Sequence, residues 1–238
     1  FFLIRGFDSV SSGLVLTDGV PEPEASRYHL YNVDRVETLK GPAGFVYGGN
    51  PLAGVVDLVH KRPHRGRSGQ ASLRAGSFDT RGAAFDVNSG YAENGTQVLG
   101  LRINGMYSES AGYRDDKDSR SWAIDPVLTW SPGPGTQITA DLEYVDNQAS
   151  PDAGQPLVGG AVPDVSRRQS YQSPFDRSSQ QLGRGRVDVA QQLGSRVSLL
   201  ARTYYNSLDW RSDGTLFNGV FPSVEGDDAG ASVLIRVG

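Results

Sequence analysis

Ser121–Trp130 reads SWAIDPVLTW. Trp122, Ile124, Leu128 and Trp130 fall on one side of an extended chain, with Asp125 and Thr129 on the other. Successive side chains of a β-strand point to opposite faces, so the stretch predicts a strand with one apolar and one wet face. Trp122 and Trp130 share the apolar face at a separation of eight residues. At ~3.3 Å per residue that is roughly 26 Å along the strand. Aromatic side chains so spaced suit the two edges of a hydrocarbon layer.

The same period recurs along the chain. In GLRINGMY, Leu101, Ile103 and Tyr107 oppose Arg102, Asn104 and Ser108. Ile138, Ala140, Leu142 and Tyr144 oppose Asp141 and Glu143, and Val187 and Val189 oppose Arg186 and Asp188. Val197, Leu199, Ala201 and Tyr205 oppose Ser198, Arg202 and Asn206; Val233, Ile235 and Val237 oppose Ser232 and Arg236. Short turns at AENGT (92–96), PGPG (132–135) and LGS (193–195) alternate with long polar segments at 109–120, 147–177 and 210–229. Alternating short and long connections are the pattern of an outer-membrane barrel. A soluble β-sandwich also alternates its strands, but it has no need of alternating turn lengths or of charges along one whole face. About eight strands are expected, starting at 69–76 and ending near Gly238. The apolar set should face outward, and Arg102, Asp125, Asp141, Glu143 and Arg202 should face the lumen.

Composition agrees with this picture. The 238 residues are 37% hydrophobic, and no apolar run is long enough for a spanning helix. Barrel strands average to a soluble-looking hydropathy, so the membrane stays open. A net charge of -4 argues against nucleic acid as a partner, and the lack of cysteine excludes disulfides and thiolate metal sites. The chain opens on FFLIRGF, its only methionine is Met106, and no signal peptide is legible; a processed protein or an internal fragment is expected.

Before Pro63 the pattern changes. Short apolar strands (FLIRGF, GLVLTDG, VETLKG and AGVVDLVHK) are separated by Gly and Pro turns, while YHLYNVDRV (28–36) is expected to form helical turns and GPAGFVYGG (41–49) a short helix or tight loop. This is a small α+β unit with too little apolar material for its own core, so it must pack against something else.

At Ile4–Phe7 (IRGF), Thr17–Val20 within LTDGV, and RVETLKGP through KRP at 35–63, the sequence resembles the TonB-dependent outer-membrane receptors of the ferric-siderophore type. The likeness continues into LRAGSFDTRGAAFDV and WAIDPVLTWSP. It implies a mainly β fold: residues 1–65 as the C-terminal part of a small α+β plug, and 66–238 as the first eight or so antiparallel up-and-down strands of an incomplete outer-membrane β-barrel. The family's N-terminal plug half, with the TonB box, has no counterpart in this sequence, and family barrels have about 22 strands. A fragment of a larger receptor is therefore expected. The sequence departs from the family at Ala53, where a second glycine is usual, and at Asp57 and His60, where Asn and Thr are common.

The resemblance also implies roles. Arg5 and Lys40 would lock the plug to barrel glutamates. Gly6, Asp18, Gly19, Arg35, Glu37, Gly41, Pro42, Gly48 and Gly54 would be structural. The loops 8–13 and 21–31 would form the outward apex, where Arg27, Tyr28, His29 and Tyr31 would meet the ligand. Aromatic faces pack on a chelate scaffold, and a cation complements an anionic ferric complex. The implied function is energised uptake of a ferric siderophore across the outer membrane of a Gram-negative-type bacterium. The implied partners are that chelate, the TonB of the TonB–ExbB–ExbD complex, and outer-membrane lipid. Cobalamin, haem or a glycan are alternative cargoes, and a soluble carbohydrate-binding module is the alternative outside transport. No resident cofactor is expected, since iron would arrive already chelated as substrate. No metal site is expected either: Pro63 separates His60 from His64 and prevents a helix from aligning them. GPAGFVYGGN lacks the G-K-[ST] of a phosphate loop, no Ser–His–Asp arrangement is legible, and the chain is read as no enzyme.

Overall fold

A computed structural model describes residues 3–4, 7–8, 15–22, 27–40, 54–152, 154–155, 157, 160–162, 164–221 and 231–237, with side chains between 15 and 215. Among the described residues every regular element is a strand.

The plug portion holds two small sheets. β1 (Leu3–Ile4) pairs with β2 (Phe7–Asp8). β3 (Val15–Thr17), β4 (Val20–Pro21), β5 (Val33–Lys40) and β6 (Gly54–His60) form a mixed sheet in the order β4-β3-β6-β5. Asp18 and Gly19 link β3 to β4 with φ of 51° and 78°. Two positive φ values in a two-residue Asp-Gly loop match the twist of the flanking strands. At Gly54 φ is 137°, and a Cβ there would stand 2.4 Å from the Leu39 carbonyl oxygen. Only glycine permits β6 to start so close to β5.

The helical turns expected over 28–36 are not formed. Residues 27–30 are irregular, 31–32 make a turn, and Val33 onward is β5, antiparallel to β6 from Val33↔His60 to Lys40↔Gly54. Val33, Val36 and Thr38 are β-branched and fit a pleated ladder better than a lone helical turn. The expected helix or loop at 41–49 lies outside the described residues.

From Ser68 onward the chain is one antiparallel meander: β7 (Ser68–Gly76), β8 (Thr80–Asn94), β9 (Gln97–Ser110), β10 (Ser119–Gly133), β11 (Thr136–Ala149), β12 (Arg177–Leu193), β13 (Val197–Phe221) and β14 (Ala231–Val237). The eight pair strictly in sequence order. β8 to β13 each have at least 14 residues, more than the 9–11 that a tilted strand needs to span a bilayer. Gly95, Gly135 and Gly194 sit with positive φ in the tight turns of one end. The longer connections 111–118 and 150–176 occupy the other.

One long loop is shorter than the sequence suggested. Residues 210–221 continue β13, and Gly214↔Val237 to Phe221↔Ala231 pair it with β14. The polar composition there reflects a strand that carries its ladder beyond the apolar band, where both faces can be wet.

The wall is apolar outside and polar inside. Leu101, Trp122, Ile124, Leu128, Trp130, Leu142, Tyr144, Val187 and Leu199 are exposed on the outer face. Trp122 and Tyr144 stack there at 5.1 Å. Asn104, Asp125, Asp141, Glu143, Arg186 and Asp188 are buried on the inner face, against the plug. Among the described residues, apolar clusters inside are Ala123, Val145 and Leu182 with Tyr31, Met106 and Leu208, and Leu16 with Val55 within the plug.

Candidate functional site

The site is the seam between plug and wall, and the two-residue loop at Asp18 and Gly19 organises it. Asp18 NH bonds to the Leu58 carbonyl at 3.0 Å, and His60 NH donates to the Asp18 carboxylate at 3.3 Å. Gly19 NH donates to Asp57 at 3.0 Å. Burial raises the Asp57 carboxyl above its ordinary range, and that N–H opposes the rise. The buried Asp18 carboxylate is thereby aimed out of the plug towards the wall.

The wall answers with alternate residues of β11, β12 and β13. Arg184, Arg186 and Asp188 lie two apart on β12, so all three point inward. Arg186 pairs with Asp18 of the plug and, at 2.7 Å, with Asp141 of β11. Arg184 likewise bridges Glu22 of the plug and Glu143 of the wall. Arg202 forks onto Asp188 at 2.7 and 3.0 Å and donates to the Asp18 backbone carbonyl at 2.6 Å. Arg62 reaches the same Asp188 at 3.3 Å. Arginine is suited to this work, because its planar fork serves two acceptors at once.

His60 completes the cluster at 3.5 Å from both Asp18 and Asp141. Burial disfavours its charged form, but Asp141, Glu143 and Asp18 outweigh burial and raise it to about 9. It is therefore a cation at neutral pH. Asp18, His60 and Asp141 are a metal-like trio that the sequence did not reveal. The Arg186 guanidinium already bonds both acids, so this trio is read as an ion-pair cluster.

A second strip runs along the plug from 27 to 34. Tyr31 OH donates to Glu143 at 3.0 Å, and Asn32 donates to the same oxygen at 3.0 Å. Burial, then the Glu143 carboxylate, push the Tyr31 hydroxyl far above its ordinary range. Lys61 clasps the Tyr31 carbonyl at 2.7 Å and Asp86 at 3.1 Å; Arg102 holds Asp86 from β9. His29 bonds Asn147 at 2.7 Å, two residues from the long-loop end of β11. Tyr28 is half-buried, and burial followed by Glu22 raises its hydroxyl. Arg27 is exposed. The other end of the plug leaves by the tight turns: Asn88 bonds Gly66 and His64 carbonyls at 2.7 and 3.1 Å, and Tyr91 bonds the Pro63 carbonyl at 2.8 Å.

The structure thus places His29 against Asn147 near the long-loop end of β11, Tyr31 against Glu143 in the middle of that strand, and Tyr28 beside Glu22 and Arg184, with Arg27 next in the chain. Lys40 is exposed and has no ion-pair partner among the described residues. Arg35 and Glu37 form an exposed pair at 2.7 Å on β5. Arg5, Gly6, Gly41, Pro42 and Gly48 lie outside the described residues. Plug–wall bonds run through Asp18, Glu22, His29, Tyr31, Asn32, His60, Lys61 and Arg62 on the plug side, and through Arg184, Arg186 and Arg202 among others on the wall. The legible signal for the wall half was the inward parity of Arg186 and Asp188 against Val187 and Val189. Glu22 and Asn32 carried none.

The family model of the TonB-dependent receptor plug domain matches residues 1–55. Residues 1–55 are a TonB-dependent receptor plug domain. The metal-pseudopaline receptor CntO of Pseudomonas aeruginosa is 31% identical over 144 residues, which is 60% of this chain and 20% of that protein. The catecholate siderophore receptor Fiu of Escherichia coli K12 is 26% identical over 156 residues, 66% of this chain and 20% of that one. The chain spans about a fifth of the length of these curated relatives. A crystal structure of the ferric-catecholate import receptor Fiu from E. coli K12, in its open form, superposes with a TM-score of 0.80 at 18% identity, covering 94% of this chain and 37% of that one. The fold is therefore that of a plug seated against barrel strands, and its place is the outer membrane.

Proposed function

We propose that the receptor carrying this chain takes up ferric siderophores across the outer membrane, driven by TonB. The observation that carries the reading is a plug sheet held to the inner wall by buried ion pairs, with a polar and aromatic strip, Tyr28 to Tyr31, that reaches towards the long-loop end at His29. A chelate entering between the long loops would meet these side chains first. Tyr28 offers an aromatic face and a hydroxyl, and Arg27 a positive charge for an anionic complex. The relatives named above receive metal-pseudopaline and catecholate siderophores, so a metal chelate is the cargo class they share. Iron is substrate in this reading, and no resident cofactor takes part.

For the plug to yield, its grip on the wall must be broken and reformed. The buried acids Asp18 and Glu22 bond to arginines rather than to apolar surface. Water and altered pairing can replace such bonds, so this seam can part without exposing a large apolar core.

The test is uptake of radiolabelled ferric chelates by cells that lack the gene and are complemented with its full reading frame. Uptake should appear with the gene and vanish when TonB is absent or the proton gradient is collapsed. Tyr28→Ala should weaken chelate binding while heat-modifiable migration of the barrel is kept. Uptake indifferent to TonB, or confined to cobalamin, haem or glycans, overturns the reading. Unchanged affinity in Tyr28→Ala removes Tyr28 from the site.

A further inference from the structure

Two ends of one plug segment meet a single pair of wall side chains. Glu143 of β11 and Arg184 of β12 stand directly opposite each other in the ladder. The Arg184 guanidinium forks: Nη1 donates to Glu143 and Nη2 to Glu22, where the apex segment leaves β4. The other oxygen of Glu143 accepts from the Tyr31 hydroxyl and the Asn32 amide, both at 3.0 Å, where that segment runs into β5. The side chains of Glu22 and Glu143 are each 3% exposed, and that of Arg184 is 15% exposed. Backbone bonds fix the same two points within the plug: Glu22 NH to the Val15 carbonyl at 3.0 Å, and Lys61 NH to the Asn32 carbonyl at 2.8 Å. Between them Tyr28 lies beside Glu22 and Arg184, and His29 bonds Asn147, four residues further along β11.

We propose that Glu143 and Arg184 are the positioning pair of the cargo site, a clasp that sets the apex segment 22–32 against the wall. For its cargo, a metal chelate, this rests on the uptake reading above. A segment held to the wall at one end only can swing about that end; held at both, it has fewer arrangements. Tyr28, His29 and Tyr31 are then presented in one pose, and less of the binding free energy is lost in ordering them. The residue types suit that task. A guanidinium bonds two carboxylates at once through its planar fork. A carboxylate keeps lone pairs for the two neutral donors at the far end of the segment. Removing either wall charge leaves a buried partner short of its counter-charge, so a change at one end of the clasp is felt at the other. Both residues act through the segment and not on the chelate.

The complete receptor, purified in detergent, tests the clasp before any cargo is added. This chain has no cysteine. Leu30→Cys, at an exposed position of the segment, therefore takes a single nitroxide label once cysteines elsewhere in the receptor are replaced by serine. Glu143→Ala and Arg184→Gln should each sharpen the label's paramagnetic-resonance spectrum, with heat-modifiable migration as the check on assembly. Glu143→Ala keeps Arg184 paired with Glu22 and serves if Arg184→Gln fails to assemble. In cells carrying the assembled variants, the concentration of ferric chelate that half-saturates uptake should rise about tenfold, with a much smaller change in the saturated rate. A merely structural role would lower the thermal midpoint and leave both label and half-saturation in place, which overturns the inference. So does a loosened label with unaltered half-saturation. A receptor that takes up no ferric chelate overturns the uptake reading, and the clasp then stands or falls on the label alone.

Discussion

On β11, Leu142 and Tyr144 stand exposed while their neighbours Asp141 and Glu143 are buried. Water-soluble domains sort the same residue types the opposite way. The difference lies in what each face meets. Outside, lipid rewards apolar surface and offers no partner for charge. Inside, the plug supplies Asp18, Glu22, Tyr31, Asn32 and His60, which take over the role of water for the wall's charges. One residue of register separates the two environments, so the faces should fail in different ways when mutated.

The inner face should show the larger effect. Arg186→Leu leaves Asp18 and Asp141 buried without their guanidinium, which should cost about 3–5 kcal/mol, read as a lower thermal midpoint. Adding Asp141→Leu should restore part of that loss; a double variant no better than the single would mean the pair does not act as a unit.

The His60 contribution should depend on pH. Its pKa rises from 6.5 to about 9 on folding. The stabilisation is therefore complete below pH 6.5 and is lost as pH rises through 9, on the order of 3 kcal/mol in all. The decline in thermal midpoint between those limits should be shallower in His60→Gln. A parallel decline in both proteins would take His60 out of the seam's electrostatics.

The outer face should follow depth. Leu142→Arg places a charge in lipid and should cost roughly 2–4 kcal/mol if it lies near the bilayer midplane, less towards either edge. Folding titrations into vesicles measure it, and full tolerance of arginine at Leu142 would erase the distinction between faces. Arg35→Ala should be the smallest change. Its pair with Glu37 is exposed on β5, so screening by solvent should leave the midpoint unmoved.

Much of the wall was legible beforehand. The parity of Leu101, Trp122, Leu128 and Leu142 against Asp125, Asp141 and Glu143 carries through to the exposed and buried faces, with Arg102 half-buried. Strand period is a local property, and a hydrophobic pattern reports it directly. The plug was less legible. YHLYNVDRV suggested helical turns, yet β5 forms because β6, some twenty residues later, offers it a ladder. Asp57 and His60, which looked like mild departures from the family, both bind the Asp18–Gly19 loop. No pattern of spacing couples Asp18 to Arg186, which lies 168 positions away.

The sequence by itself determined that this chain builds alternating strands for a bilayer and which face each side chain takes, because a strand's two-residue period needs no distant partner. Only the tertiary structure decided which charges meet. Asp18 is aimed by a left-handed Asp-Gly turn, Arg186 by β12, and His60 by the end of β6. Their mutual neutralisation exists only once the plug lies against the wall. A buried charge is tolerated there because its partner arrives from another part of the fold, and sequence separation carries no record of that meeting.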